Sequence, residues 1–309
     1  MGELLRAGVI GAGVFGGYHA GKYAAMKGVA LAGVYDHHAV HAEALAGRLG
    51  GQVFATEDEL IGAVDVVSIA TPASAHADAA IAALEAGKAV YVEKPVAIFP
   101  EDAERIVGLA EGRGLVAACG FLERAGLAAM GLFDIPEKPR LLEAVRLGPP
   151  SPRNLDVSVV LDLMIHDLDL ALALDASDPI TVEAGGAAVA NATLDHVDAE
   201  VEFESGFIAR FHASRIAEAR ERSMRIVYPS GEVRVDFLAH TFENTTPFAL
   251  DPNFEQTPAF KDRLGASIAA FLEAVRGERA APLATVRDGA RALDLALAVE
   301  HAMVQQGLV

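Results

Sequence analysis

Tryptophan is absent from this 309-residue chain, aromatic residues make up only 6%, and there is a single cysteine, Cys119. The interior must then be built from small and branched aliphatic residues, which suits a hydrophobic content of 52%. One cysteine excludes an internal disulfide, and its simplest reading is a small buried apolar side chain. Positive charge is also scarce, with 25 Lys and Arg against 43 Asp and Glu and a net charge of −18. A chain this acidic repels phosphate backbones, so no nucleic-acid partner is expected. Any phosphate it takes must be held by a local device such as a helix N-terminus. No apolar run reaches membrane-spanning length, and no signal-peptide pattern opens the chain. The expectation is a soluble, cytoplasmic protein without membrane contact.

What is present is an alternation. Over residues 1–120, short apolar β-type runs (6–10, 30–35, 52–54, 64–70, 89–93 and 116–120) alternate with Ala-rich helical stretches (17–27, 39–49, 75–86 and 101–113). Runs such as 65–70 are mainly apolar and do not alternate, as in strands covered on both faces. Such βαβ spacing predicts an α/β domain with a doubly wound parallel sheet. After Gly120 the texture changes. Prolines punctuate 136–152, a strand is expected at 141–147, and a helix at 157–174. Strands in series follow at 180–190, 198–204, 207–214, 223–228 and 232–237, with turn signals at Ser205-Gly206 and 229–231. Strands without intervening helices predict an α+β domain with an open, mainly antiparallel sheet. Two helices, 260–276 and 285–306, close the chain. The expected domains are 1–120 and 121–309.

Gly11, Gly13 and Gly16 follow the first apolar run and precede a helical pattern. In that context the first glycine permits a tight turn, the second admits a pyrophosphate, and the third lets helix and strand approach. Asp36 ends the second strand about 20 residues later, where a carboxylate binds a ribose 2′-hydroxyl and repels a 2′-phosphate. NAD is therefore favoured over NADP. His37, His38 and His41 lack the companion ligands of a metal site, and no metal is expected.

Glu93-Lys94-Pro95 falls at the end of the fifth strand, and the carboxyl ends of parallel strands are where such sheets build sites. A lysine there is either a solvated surface residue or a proton-transfer group. Asp162 and His166 stand four residues apart on one helix and share a face, with Asp169 expected on the same stripe. They could be a surface pair, but the helix is apolar enough that the stripe is expected to face a cleft.

Taken in order, these residues resemble the Gfo/Idh/MocA oxidoreductases, the glucose–fructose oxidoreductase and inositol dehydrogenase family. The resemblance is carried by the glycine fingerprint with His19 beyond it, Asp36, Ala70-Thr71-Pro72 with His76, Glu93-Lys94-Pro95, and Asp162-x-x-x-His166. It implies an N-terminal Rossmann domain, and a C-terminal domain whose open sheet mediates homodimers or homotetramers. It also implies NAD(P)-dependent oxidation or reduction of a sugar or polyol. Lys94 would be the proton-transfer lysine, His166 a second acid/base that also touches substrate, and Asp162 its partner. The cofactor would be bound by Gly11, Gly13, Val14, Phe15, Gly16, Asp36, Ala70, Thr71, Pro72, His76, Glu93 and Lys94. A narrower likeness, in the stretch 156–169, is to the bacterial UDP-N-acetylglucosamine 3-dehydrogenase branch. Such a substrate needs diphosphate ligands, for which Arg124 and Arg153 are the candidates. Relatives often carry Arg-Phe-Asn-Pro where this chain has Glu123-Arg124-Ala125-Gly126, a departure at the edge of the substrate pocket. The other readings are a free polyol or aldose dehydrogenase, an NAD-assisted glycosidase, and a catalytically silent dinucleotide-binding regulator.

Overall fold

The computed structural model describes residues 4–151 and 157–305. The first six strands, β1 (Leu5–Ile10), β2 (Val29–Tyr35), β3 (Gln52–Val53), β4 (Val66–Ile69), β5 (Ala89–Val92) and β6 (Ala117–Cys119), form one sheet in the order β3-β2-β1-β4-β5-β6. All pairs are parallel. This is the doubly wound order, with its switch point between β1 and β4. Every residue of β4 and β5 is buried, because helices cover both faces.

Seven strands build a second sheet: β7 (Leu141–Leu147), β8 (Pro179–Ala187), β9 (His196–Phe203), β10 (Ile208–Ser214), β11 (Glu221–Tyr228), β12 (Gly231–Asp236) and β13 (Thr241–Asn244). Their order is β13-β12-β11-β7-β10-β9-β8, antiparallel throughout except for the β7–β10 pair. Burial alternates along β7, β9 and β10, so one face is buried and apolar apart from Arg146, while the other carries Glu143, Asp198, Glu200, Arg210 and His212.

The chain divides into two compact units, but not into the expected segments 1–120 and 121–309. Unit one joins Met1–Leu122 to Asp262–Ala290, and unit two joins Glu123–Lys261 to Arg291–Val309. The reason is the helix Arg263–Val275, whose Leu264, Ile268, Phe271 and Leu272 complete the apolar cluster around Tyr23 and Tyr91. The expected helix 260–276 is also two helices. Asp262 interrupts it, accepts from the Gly265 N–H at 3.0 Å as an N-cap, and pairs with Lys22 at 2.7 Å. Cys119 is buried, as expected of a small apolar residue. Among the described residues no helix is long and apolar enough to cross a membrane.

Candidate active site

In the first unit the predicted residues collect at the carboxyl ends of β1, β2, β4 and β5. Gly11 adopts φ 93°, and a Cβ on it would lie 2.7 Å from the Ala70 carbonyl. A Cβ on Gly16 would lie 1.7 Å from the Gly11 carbonyl oxygen, so only glycine lets the helix Val14–Ala25 start this close to the turn. Gly13 is different: a Cβ there meets nothing within 4 Å. It is the N-cap of that helix and supplies no side chain to close the first N–H groups. Val14 and Phe15 are exposed beside it. An open front and uncapped donors fit a dinucleotide pyrophosphate.

Asp36 stands against this turn. Its carboxylate accepts from the Ala12 N–H at 2.7 Å and the His38 N–H at 2.8 Å, with His41 Nδ1 at 3.4 Å. Burial disfavours its charge, but these donors outweigh burial and hold it below the ordinary carboxylate range. A fixed anion at this strand end suits a ribose diol.

The loop Ala70-Thr71-Pro72 leaves β4, and His76 behind it is buried. Its Nδ1 lies 2.7 Å from the Pro95 carbonyl oxygen and its Nε2 2.9 Å from that of Thr71. His76 thus joins two loops, whereas the resemblance implied a direct cofactor ligand. Its contacts are used up by backbone. Glu93 is also buried, with its Oε1 2.9 Å from the His19 side chain at Nε2. His19 Nδ1 lies 2.9 Å from Ser68 Oγ, which lies 2.7 Å from Tyr23 Oη. Burial pushes the Tyr23 hydroxyl well up from its ordinary range, so it stays protonated. Lys94 follows Glu93, half-buried, with a cis peptide to Pro95.

In the second unit Asp162 lies in a π-helical turn, Val160–Met164, that runs directly into the helix Ile165–Leu174 carrying His166. Ser158 starts it, accepting from the Leu161 N–H at 3.2 Å and donating to Glu300. Asp162 and His166 are both half-exposed. Asp169 does not continue their stripe: it is fully buried. The wider π turn shifts the helical phase, and Asp169 instead receives the Arg124 guanidinium at 2.7–3.1 Å. Arg124, expected to hold a diphosphate, is therefore buried with its fork on Asp169. Arg153 lies outside the described residues.

Sequence reasoning missed a second buried pair beside this one. Arg146 of β7 grips Asp167 at 2.8 Å through two nitrogens and Glu123 at 3.3 Å. Burial disfavours the Arg146 charge, yet Asp167 and Glu123 together hold it firmly protonated. The available signal was a run of acids, Asp167 and Asp169, on a helix otherwise too apolar to face water. Also missed were Ser68 and Tyr23, which read as ordinary strand and helix residues. Among the described residues no group of three or more His, Cys, Asp or Glu side chains could hold a metal ion.

Comparison with known proteins identifies the family. A family model described as the oxidoreductase family with NAD-binding Rossmann fold matches residues 5–121, and the GFO/IDH/MocA C-terminal domain matches 147–234. The UDP-N-acetylglucosamine 3-dehydrogenase of Acidithiobacillus ferrooxidans is 38% identical over 256 residues, 80% of this chain and 82% of that protein. The solved structure of that enzyme superimposes with a TM-score of 0.89 over 98% of both chains. The WlbA dehydrogenase of Bordetella pertussis, solved with NADH and UDP-GlcNAcA, shares the fold at a TM-score of 0.88 over 98% of this chain and 96% of that one. Its identity is 19%.

Proposed function

This chain belongs to the GFO/IDH/MocA family of NAD-binding oxidoreductases, and we propose that within it the protein oxidises the 3-hydroxyl of a UDP-linked N-acetylhexosamine, with UDP-N-acetylglucosamine the first candidate. The observation that carries this reading is the 38% identity to an enzyme of that activity, sustained over 80% of the chain.

The cradle of Gly11, Gly13 and Gly16 receives the pyrophosphate, and Asp36 takes the adenosine ribose, excluding a 2′-phosphate. Bound NAD supplies the hydride acceptor. Lys94 takes the proton from the reacting hydroxyl, His166 serves as the second acid/base on the sugar, and Asp162 orients it. The diphosphate falls to Arg153, since Arg124 is neutralised by Asp169. The edge strands β8 and β13 need cover, and the exposed sheet face has a concavity of about 670 Å³ lined by Glu143, Asp198, Glu200, Arg210 and His212. These features support a homodimer or homotetramer assembled through that sheet.

The test follows NADH formation with UDP-N-acetylglucosamine, UDP-N-acetylgalactosamine, UDP-glucose, free N-acetylglucosamine and myo-inositol, with a ketone trap because the oxidation is uphill. Turnover confined to UDP-N-acetylhexosamines is expected, and Lys94→Ala should abolish it while NAD still binds. Turnover only with a free sugar or polyol would replace the substrate assignment. Full activity in Lys94→Ala would remove the lysine from the chemistry.

A further inference from the structure

Two buried histidines bracket Lys94, and neither is needed to explain how a dinucleotide is held. Upstream, His19 meets the carboxylate of Glu93, the residue immediately before the lysine. Downstream, His76 meets the carbonyl of Pro95, the residue immediately after it. Each histidine belongs to a different wall of the cradle. His19 projects from the helix Val14–Ala25 that the glycine turn opens, and His76 also grips Thr71 in the loop after β4.

The upstream anchor is a directed chain. Tyr23 keeps its proton and has Ser68 Oγ as its near partner, so it donates there. Ser68 then donates to His19 Nδ1, and His19 Nε2–H donates to Glu93. In this order every polar hydrogen has an acceptor, and all of them point toward the Glu93 carboxylate. The reverse order keeps these contacts but leaves the buried Tyr23 hydroxyl hydrogen without an acceptor in the chain. A chain so aligned polarises each successive bond in a low-dielectric interior. The downstream anchor is shorter: the buried His76 ring lies between two carbonyl oxygens, that of Pro95 just after the lysine and that of Thr71 in the loop after β4.

We propose that His19 and His76 are positioning residues for Lys94, registering the proton-transfer lysine against the two walls of the nucleotide cradle through the Glu93 carboxylate and the Pro95 carbonyl. The inference rests on Lys94 being the proton-transfer group. Loss of either anchor leaves the cradle standing but lets the lysine drift, and misplacement of about 1 Å at a reacting centre costs roughly a hundredfold in rate.

The experiment compares His19→Leu, His19→Gln, His76→Leu, His76→Gln and Ser68→Ala in the full-length protein. It measures kcat and KM with NAD and UDP-N-acetylglucosamine, NAD affinity by calorimetry, the solvent deuterium isotope effect on kcat, and thermal unfolding. The Leu variants are expected to lose about tenfold to a hundredfold in kcat. Their NAD affinity should stay within about threefold, and the isotope effect should rise as proton transfer becomes limiting. The Gln variants, which keep an amide donor, should recover most of the loss. Should the Leu variants fail to fold, Ser68→Ala carries the test, and it is expected to lose roughly threefold to tenfold in kcat and to show the same isotope signature. Parent kcat and isotope effect in the folded Leu variants, or in Ser68→Ala where those do not fold, would overturn the proposal. So would NAD affinity falling in parallel with kcat, which would make both histidines mere supports of the cradle. Lys94→Ala, run alongside, separates this from the parent reading: if it keeps turnover, the lysine assignment itself is wrong, whatever the histidine variants do.

Discussion

The two units fix their candidate catalytic side chains by opposite means. In the first, the residue before Lys94 is held by a chain of hydrogen bonds running from tyrosine through serine and histidine to one carboxylate. In the second, the residue after His166 is Asp167, held by the buried guanidinium of Arg146, with Glu123 as a further anion and Arg124–Asp169 as a separate pair. A hydrogen-bonded chain spreads its cost over several small steps. A buried ion cluster concentrates it, because each charge depends on its partner to offset desolvation. The second arrangement is the more brittle to the loss of a single residue and the first the more forgiving.

Arg146→Met should therefore be the most damaging change. It strands Asp167 as a buried carboxylate without its cation and leaves Glu123 only the longer 3.8 Å pairing with Arg222, and a loss of about 3–5 kcal/mol in denaturant unfolding is expected. A loss under about 1 kcal/mol would show that the cluster relaxes onto water, and the contrast between the units would lose its basis.

Acid should act next. Asp195 in the second unit is buried, which disfavours its charge, but Asn191, the Ala190 and Val189 N–H groups and Arg215 outweigh burial and hold it far below the ordinary carboxylate range. Because its folded value is depressed, it contributes stability at neutral pH that is lost as pH falls below about 4, where the unfolded chain takes up the proton. Asp36 in the first unit is depressed as well, from a more exposed position. Thermal midpoints between neutral and acid pH should show Asp195→Asn flattening the acid limb more than Asp36→Asn. Equal flattening would erase the distinction.

The smallest effect is expected from Tyr23→Phe, which removes only the far donor of the hydrogen-bonded chain. A stability loss of about 1 kcal/mol is anticipated. A loss matching that of Arg146→Met would mean that the chain behaves as one cooperative block.

Much of this was legible in the residues. The parallel sheet could be read because its buried strands are mainly apolar without alternation and the helices between them keep their own period. The cradle could be read because Gly11 and Gly16 occupy positions no other residue can take. Other features turn on contacts between distant segments. Nothing local in Leu264, Ile268 and Phe271 says that their helix covers Tyr23 and Tyr91. The alignment of Asp169 with Asp162 failed because a π turn changes the phase that regular helical spacing assumes. Arg124 carried a fork suited to a diphosphate, and only the fold reveals that Asp169 already fills it. The short helix Glu57–Ala63 was passed over although Thr56, three residues before Glu59, is its N-cap and accepts from the Glu59 N–H at 3.2 Å.

The return of residues 262–290 to the first unit bears on how the protein is made. A ribosome that has released only the first 122 residues has exposed a sheet whose apolar flank at Tyr23 and Tyr91 still lacks Ile268 and Phe271. The nucleotide-binding half cannot close its core until nearly the whole message has been translated. Its nascent form spends that interval with a hydrophobic surface open to chaperones. A gene cut after Leu122 would yield a fragment prone to aggregate, and not a free-standing NAD-binding module.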